Sequence, residues 1–207
     1  MIYAENQIQR VFPWIHKAPK WFILGGPADA NEAQCIRERY PTIKVIAFEP
    51  LMQNVEWQRS NGFPADGVLL PYALGDTAGT AMLSIDPDER NGHRCASIAS
   101  DHSRAFGQVE VKVTTLDEAD RTYGPFEEAF LWLDIEGSEL SAIRGASTLL
   151  KEGRVNWVNI EANSRTSGIT TKIHRVLRSY GFGVVSDWNV RQVNSHQIKD
   201  VFYRKIR

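Results

Sequence analysis

The chain has 207 residues and a net charge of −1, with apolar and charged fractions of 43% and 24%. This length suits one domain with a full core, and the charge balance excludes a broad basic field for nucleic acid. Cys35 and Cys95 lack metal-type spacing, which favours a reduced, cytoplasmic protein over a disulfide-built one. No apolar run approaches the roughly 20 residues of a membrane helix, and the first ten residues are too polar for a signal peptide.

Strand and helix signals alternate over the first seventy residues. The apolar run 21–24 predicts a first strand, which stops at the turn Gly25-Gly26-Pro27. After it the patterns predict a helix at 31–40, a second strand at 43–48, a second helix at 51–60 and a third strand at 67–70. This alternation is typical of a parallel sheet covered by helices.

The middle of the chain has a different pattern. Residues 73–76 predict a hairpin turn into a strand at 79–85, and the alternating residues 109–113 predict an edge or half-exposed strand. The polar stretch 86–107 between them is long enough to be a functional loop. It carries three candidate site residues, each equally compatible with an ordinary solvated side chain. His93 and His102 could act as bases near neutral pH. Arg94 could bind an anionic substrate.

The most informative segment reads FLWLDIEGSELSAIRGA and starts at Phe130. Its first four residues predict a buried strand that brings Asp134 and Glu136 to its carboxyl end, where ligands collect in parallel sheets. A helix capped by Ser138 and Glu139 follows. Asp134 can act as a general base or bind a cationic group. The alternative is that both acids only cap the helix, whose dipole favours negative charge there.

The remaining elements complete an α/β domain. Residues 155–160 predict a strand that ends on Glu161, residues 170–180 a helix, and residues 182–185 and 198–203 two antiparallel strands. The sequence therefore predicts a single domain over residues 1–207, with residues 1–20 as an N-terminal extension and residues 86–107 as a lid or substrate loop.

Glu49 and the glycine turn indicate a nucleoside ligand. Glu49 ends the second strand 24 positions after Gly25, and an acid about 20 positions past such a turn holds a ribose diol in nucleotide-binding folds. Glycine at Gly25 and Gly26 lets a ligand approach the backbone. Residues 25–30 do not form a phosphate cradle, so the ligand is a nucleoside without phosphates. The alternative is an ordinary turn with a solvated glutamate.

A metal site is the lesser alternative for the acidic residues. Asp134, Glu136 and Glu161 are suitable ligands for a hard cation. However, no histidine lies at ligand spacing beside them. We therefore predict no metal.

Several short motifs taken together resemble the FkbM-type methyltransferases. The similarity spans roughly residues 21–185, and the Asp-x-Glu-Gly-x-Glu block is its most specific part. The motifs are Phe48-Glu49-Pro50, Ala73-Leu74-Gly75-Asp76, Thr115-Leu116-Asp117, Leu133 to Leu140 with Gly145-Ala146, Asn159-Ile160-Glu161 and Tyr180-Gly181-Phe182.

The resemblance implies an S-adenosylmethionine-dependent methyltransferase with a Rossmann-like class I fold. Such a fold has a mostly parallel seven-stranded sheet, an antiparallel C-terminal strand and helices on both faces. The implied reaction is O-methylation of a small molecule or sugar. The implied partners are that acceptor alone, without nucleic acid or membrane, and the chain is compatible with a homo-oligomer.

The resemblance also implies roles for individual residues. Glu49 would hold the ribose, Pro50-Leu51 would border the adenine, Gly25 and its neighbours would face the methionine portion, and Asp134 would lie near the reacting end. From the sequence we add Ala73 as a cofactor-binding candidate and His93 and His102 as catalytic candidates. We predict that Arg94, Glu136 and Glu161 contact the acceptor.

The turn after the first strand departs from the family pattern. Family members carry an Asp-x-Gly-x-Asn-x-Gly type turn, whereas residues 23–29 lack the leading acid and the asparagine. Asp29 or Asn31 would have to compensate. The alternative is a catalytically degenerate methyltransferase fold that serves as a binding or scaffold module. A nucleotide-sugar or NAD-linked enzyme is disfavoured because the phosphate cradle is missing.

Overall fold

A computed structural model describes residues 8–27, 31–85, 107–163, 167–193 and 196–206. The strands in these ranges are β1 Trp21–Gly25, β2 Lys44–Phe48, β3 Val68–Leu70, β4 Ala73–Leu74, β5 Gly79–Ile85, β6 Gly107–Thr114, β7 Ala129–Leu133, β8 Val155–Asn163, β9 Phe182–Val193 and β10 His196–Lys205. The helices are α1 Asn31–Arg39, α2 Met52–Ser60, α3 Leu116–Tyr123, α4 Glu139–Arg144, α5 Ser147–Lys151 and α6 Ser167–Ser179. Residues 8–11 are also helical, and a 3₁₀ turn follows at Phe12–Trp14.

Seven strands form the main sheet in the order β3-β2-β1-β7-β8-β10-β9. The first five of these pair in parallel with their neighbours. β10 runs antiparallel to both β8 and β9. Helical crossovers join the parallel strands, which is the arrangement that alternating strand and helix patterns favour. The predicted fold class, including the antiparallel C-terminal strand, is confirmed.

Alternate residues of the central strands point into two separate cores. In β7, Leu131 and Leu133 pack against α3, α4, α5 and α6 on one face of the sheet. Phe130 and Trp132 pack on the other face, against α1, α2 and the N-terminal segment. Ile8, Val11 and Ile15 belong to this second core, so the predicted N-terminal extension covers part of the sheet. Both faces of β7 are buried, which explains why its sequence is apolar without alternation.

A second, three-stranded sheet has the order β4-β6-β5. The predicted hairpin at residues 73–85 is wrong, because β4 and β5 both pair with β6 and not with each other. Of the two alternatives for residues 109–113, an edge strand or a half-exposed strand, the structure supports the second, because β6 is central in its sheet and its burial alternates. The partners in β6 lie more than twenty residues away along the chain, so they leave no local sequence signal, and the local turn pattern was misleading here.

The Thr115-Leu116-Asp117 motif has a structural role. The hydroxyl of Thr115 accepts a hydrogen bond from the N–H of Glu118 at 3.0 Å and caps α3. The carboxylate of Asp117 accepts from the N–H groups of Thr148 and Leu149 at 2.9 and 3.1 Å. Asp117 therefore caps α5 from a different helix, and the motif fixes α3 against α5.

Among the helices that the structure describes, none combines the length and the apolar character needed to cross a bilayer.

Candidate functional site

The carboxyl ends of the parallel strands meet along one edge of the main sheet. Glu49 directly follows β2, Gly26 follows β1 and Asp134 follows β7. The register places Gly25 beside both Phe48 and Leu133, so the three residues that come next are neighbours across the sheet. Glu161 lies in the next strand, one position beyond the Leu133–Ile160 pair. The predicted convergence of these residues follows from parallel pairing alone.

Three acidic side chains form a cluster at this edge. Asp134, Glu136 and Glu161 each place a carboxylate oxygen within 4.8 Å of the other two. Asp200 faces Glu161 from β10 and is buried. The structure thus brings together the three acids that the sequence singled out and adds a fourth from the antiparallel strand.

The environment of Asp134 favours its protonated form. Burial raises the pKa of its carboxyl group well above the ordinary value, and the charge and hydrogen bond of Glu161 raise that pKa further. The charges of Glu136 and Asp200 act in the same direction. Like charges at this spacing cannot all ionise freely. Asp134 therefore takes up a proton at a higher pH than an isolated aspartate.

The same three carboxylates have the chemistry to hold a hard divalent cation, since they offer oxygen ligands from two strand ends. They have equally the chemistry to hold an organic cation, because a carboxylate stabilises any positive group brought beside it. The absence of a metal remains a prediction.

Glu49 occupies a buried position of its own. It is 5% exposed, and its Oε1 accepts a hydrogen bond from the N–H of Leu51 at 2.9 Å. Burial raises the pKa of Glu49 to about 7, although the hydrogen bonds from Leu51 and the Asn54 side chain oppose the rise. Leu51 packs with Ala73 in a small apolar cluster. The structure therefore places a carboxylate next to an apolar surface, and the role of Glu49 in holding a ribose stays a prediction.

Packing within the protein requires glycine at Gly25, the last residue of β1, and at Gly26, which follows it. A Cβ at Gly26, whose φ is +75°, would overlap the carbonyl oxygen of Asp134. A Cβ at Gly25 would press on the side chains of Leu133 and Leu74. The buried side chain of Gln58 donates its amide to the carbonyl oxygen of Pro27, which ties this turn to α2. The sequence led us to expect open space beside this backbone for a ligand, and Asp134 itself occupies part of that space.

Substitution of Gly26 by alanine should destabilise the chain by more than about 2 kcal/mol, because strain at positive φ adds to overlap with the Asp134 carbonyl. Gly153 has a similar φ of +70° but only the Lys205 Nζ atom at 3.9 Å. Gly153→Ala is therefore the matched control and should cost about 1 kcal/mol. Thermal melts of both variants measure the difference, and equal losses would contradict the packing explanation.

Several predicted site residues lie outside the described part of the chain. They are Asp29, His93, Arg94 and His102. Asn31 starts α1, and its predicted role in cofactor binding stays a prediction.

Three buried polar residues near the edge were not predicted as site residues. Glu139 is 3% exposed, and burial raises its pKa to about 7 against the effect of its backbone hydrogen bonds. Glu139 was proposed only as a helix cap. Asp200 and Gln58 lack any local motif, since they reach the site through strand register and helix packing.

The model of the methyltransferase FkbM domain matches residues 25–184. The chain belongs to this family. Membership confirms the resemblance seen in the motifs, and it makes the protein a methyltransferase that uses S-adenosylmethionine. No match was found among curated proteins.

Solved structures share the fold of this FkbM-family chain at low sequence identity. A putative tRNA (m1A22) methyltransferase from Streptococcus pneumoniae, in complex with S-adenosyl-L-methionine, has a TM-score of 0.53 at 11% identity, covering 97% of this chain and 72% of that one. The human methyltransferase 10 domain containing protein has a TM-score of 0.54 at 9% identity, and the alignment covers 99% of this chain and 82% of that one. Precorrin-6y C5,15-methyltransferase from Geobacter metallireducens has a TM-score of 0.52 at 11% identity, and the alignment covers 97% of this chain and 88% of that one. These similarities confirm the Rossmann-like fold.

The FkbM-family chain without ligand should lose stability as pH rises from about 5 to 8. The pKa of Glu49 is raised from 4.5 to about 7 on folding, so the folded state binds this proton more tightly than the unfolded state. Its stabilising effect is complete below about pH 4.5 and is lost as pH rises through about 7. Glu49→Gln removes this titration, so the stability of the variant relative to the wild type should rise towards pH 8. Melting temperatures across this range measure the gain.

The exposed Glu56 lies on the neighbouring helix α2, and Glu56→Gln is the control for losing one carboxylate. A pH profile of Glu49→Gln parallel to that of Glu56→Gln would show that Glu49 does not titrate in this range.

Proposed function

We propose that this methyltransferase transfers the methyl group to a hydroxyl of a small molecule or sugar, with Asp134 beside the reacting atoms. The observation that carries the proposal is the position of Asp134. It lies at the carboxyl edge of the central strands, in contact range of two further carboxylates, and its pKa is well above the ordinary value. A carboxylate whose pKa lies above the ordinary value is a stronger base than an isolated aspartate.

The residues at the edge fit the cofactor. Glu49 has the chemistry to accept hydrogen bonds from both ribose hydroxyls, and the apolar Leu51 and Ala73 beside it suit the adenine ring. The cluster around Asp134 suits a positively charged sulfur. S-adenosylmethionine supplies an activated methyl group on a sulfonium cation. In this proposal Glu49 and Asp134 bind opposite ends of the cofactor, with the Gly25-Gly26 turn between them.

Asp134 would act as the base for the acceptor. A hydroxyl group must lose its proton when it is methylated, and Asp134 would take that proton on a carboxylate oxygen. The hydrogen bond between Asp134 and Glu161 gives the transferred proton a second acceptor. Most of the remaining acceleration would come from holding the acceptor oxygen in line with the methyl group. Glu136 and Glu161 would orient the other hydroxyls of the acceptor.

The charge of the edge favours a neutral or cationic acceptor. Four carboxylates from Asp134, Glu136, Glu161 and Asp200 converge there, and they would repel the phosphates of a nucleic acid. One structural neighbour is described as a putative tRNA methyltransferase. We propose a different acceptor class for this chain on electrostatic grounds. The loop with His93, Arg94 and His102 is proposed to cover the acceptor.

The test is methyl transfer from S-adenosylmethionine with a labelled methyl group. The full chain is incubated separately with a panel of sugars and small hydroxyl compounds, with total tRNA and with a protein extract. We expect label in the hydroxyl panel and none above background in tRNA. Transfer to tRNA or protein alone would contradict the proposed acceptor. Cofactor binding without transfer to any of the three would favour the degenerate binding module instead.

A further inference from the structure

The loop between β7 and α4 has an unusual backbone. Glu136 has a φ of +51° and Gly137 a φ of +98°. A residue with a side chain rarely adopts the left-handed region, and it stays there only when its surroundings hold it. Something in the structure must therefore fix the conformation of Glu136.

Glu139 provides that restraint. Its Oε1 atom accepts hydrogen bonds from the N–H groups of Ile135 at 3.2 Å and Gly137 at 3.1 Å. These N–H groups belong to the residues immediately before and after Glu136. Ser138, at the N-cap position, makes no capping bond with its side chain. The buried carboxylate of Glu139 thus reaches back into the loop instead of capping its own helix in the usual way.

The restraint acts against electrostatic repulsion. Carboxylate oxygens of Asp134, Glu136 and Glu161 lie within 4.8 Å of one another, and any two of these groups that are ionised together repel each other. The N–H of Asp134 is anchored to the carbonyl of Gly25 at 3.1 Å. The two hydrogen bonds that Glu139 accepts hold the loop at the residues on either side of Glu136. Their loss would remove a restraint that keeps Glu136 at the cluster.

We propose that Glu139 is a positioning residue, which holds Asp134 and Glu136 in the geometry that the reaction requires. The side chain of Glu139 is only 3% exposed, so it contacts the loop from the interior of the protein. The inference rests on the proposed function, in which the cluster around Asp134 binds the charged end of the cofactor.

Three substitutions of Glu139 separate positioning from charge. Glu139→Gln keeps an oxygen that can accept both hydrogen bonds, whereas Glu139→Ala removes the acceptor and Glu139→Asp keeps the charge on a shorter side chain. Isothermal titration with S-adenosylmethionine should give an affinity within about threefold of wild type for the glutamine variant. The alanine and aspartate variants should each lose about 10-fold, which corresponds to one hydrogen bond with a charged partner.

A stability control comes from the same helix. Ile143 is fully buried in α4 and contacts the first core, so Ile143→Val should lower the melting temperature by a few degrees and leave the affinity unchanged. If Glu139→Ala does not fold, the aspartate and glutamine variants carry the comparison. Wild-type affinity in all foldable variants would overturn the positioning role, as would equal losses in the glutamine and aspartate variants. A wild-type chain that binds no cofactor would contradict the proposed site as well.

Discussion

Replacement of Asp134 by asparagine is expected to reduce methyl transfer by roughly 10²- to 10⁴-fold, the usual effect of losing a general base. It should also weaken binding of S-adenosylmethionine more than binding of its demethylated product. The reason is that the sulfur carries a positive charge only in the cofactor, so only the cofactor loses an attraction to the Asp134 carboxylate. Titration calorimetry with both compounds measures the ratio of affinities.

Proton release gives a second measurement of the same residue. The pKa of Asp134 is raised in the ligand-free site, and a cation beside it would lower that pKa towards the ordinary value. At a pH where the free carboxyl group of Asp134 is still protonated, binding of the cofactor should therefore release more protons than binding of the demethylated product. Titrations in two buffers of different ionisation enthalpy detect the released protons.

Asp66 supplies the control for the Asp134 variant. It precedes β3, at the opposite edge of the sheet, and pairs with Arg37 at 2.7 Å. Asp66→Asn should change neither the affinity ratio nor the proton release. An unchanged ratio in Asp134→Asn would place the reacting sulfur elsewhere and contradict the proposed role of Asp134.

Replacement of Glu49 by alanine should weaken S-adenosylmethionine binding by roughly 10- to 100-fold, from an expected micromolar range. A carboxylate that accepts hydrogen bonds from both ribose hydroxyls contributes about that much affinity. The cofactor and its demethylated product share the same ribose, so both should lose equally. This equal loss separates the role of Glu49 from that of Asp134.

Glu56→Ala is the matched control for Glu49→Ala, because Glu56 is exposed on the helix that follows Glu49. It should bind as the wild type does. An affinity of Glu49→Ala within about twofold of Glu56→Ala would argue that the buried carboxylate serves only to fix the turn around Leu51.

The strand-end residues could be predicted because their placement follows from local patterns. Glu49 and Asp134 each follow a short apolar strand, and parallel pairing brings the carboxyl ends of such strands to one edge. The block from Asp134 to Glu139 also carries the family resemblance, which the match over residues 25–184 confirms. The first inference needed only the order of strands and helices along the chain, and the second needed only short motifs.

The supporting residues could not be predicted in the same way. Asp200 comes 39 residues after Glu161, and only the antiparallel register of β10 sets the two opposite each other. The hydrogen bonds that the loop N–H groups of Ile135 and Gly137 donate to Glu139 depend on the left-handed backbone at Glu136. The pairing of β4 and β5 with β6 has no local signal either, which is why the hairpin prediction was wrong.

By itself, the sequence determined the alternating α/β fold, the family and the acids that end β2 and β7, because burial patterns and strand-end positions are local properties of the chain. Only the tertiary structure decided that three carboxylates gather within 4.8 Å and that the pKa values of Asp134 and Glu49 rise. It also decided that the carbonyl oxygen of Asp134 occupies the space where a Cβ at Gly26 would lie. Proximity and burial arise from contacts between distant segments, and they set the electrostatics of the site.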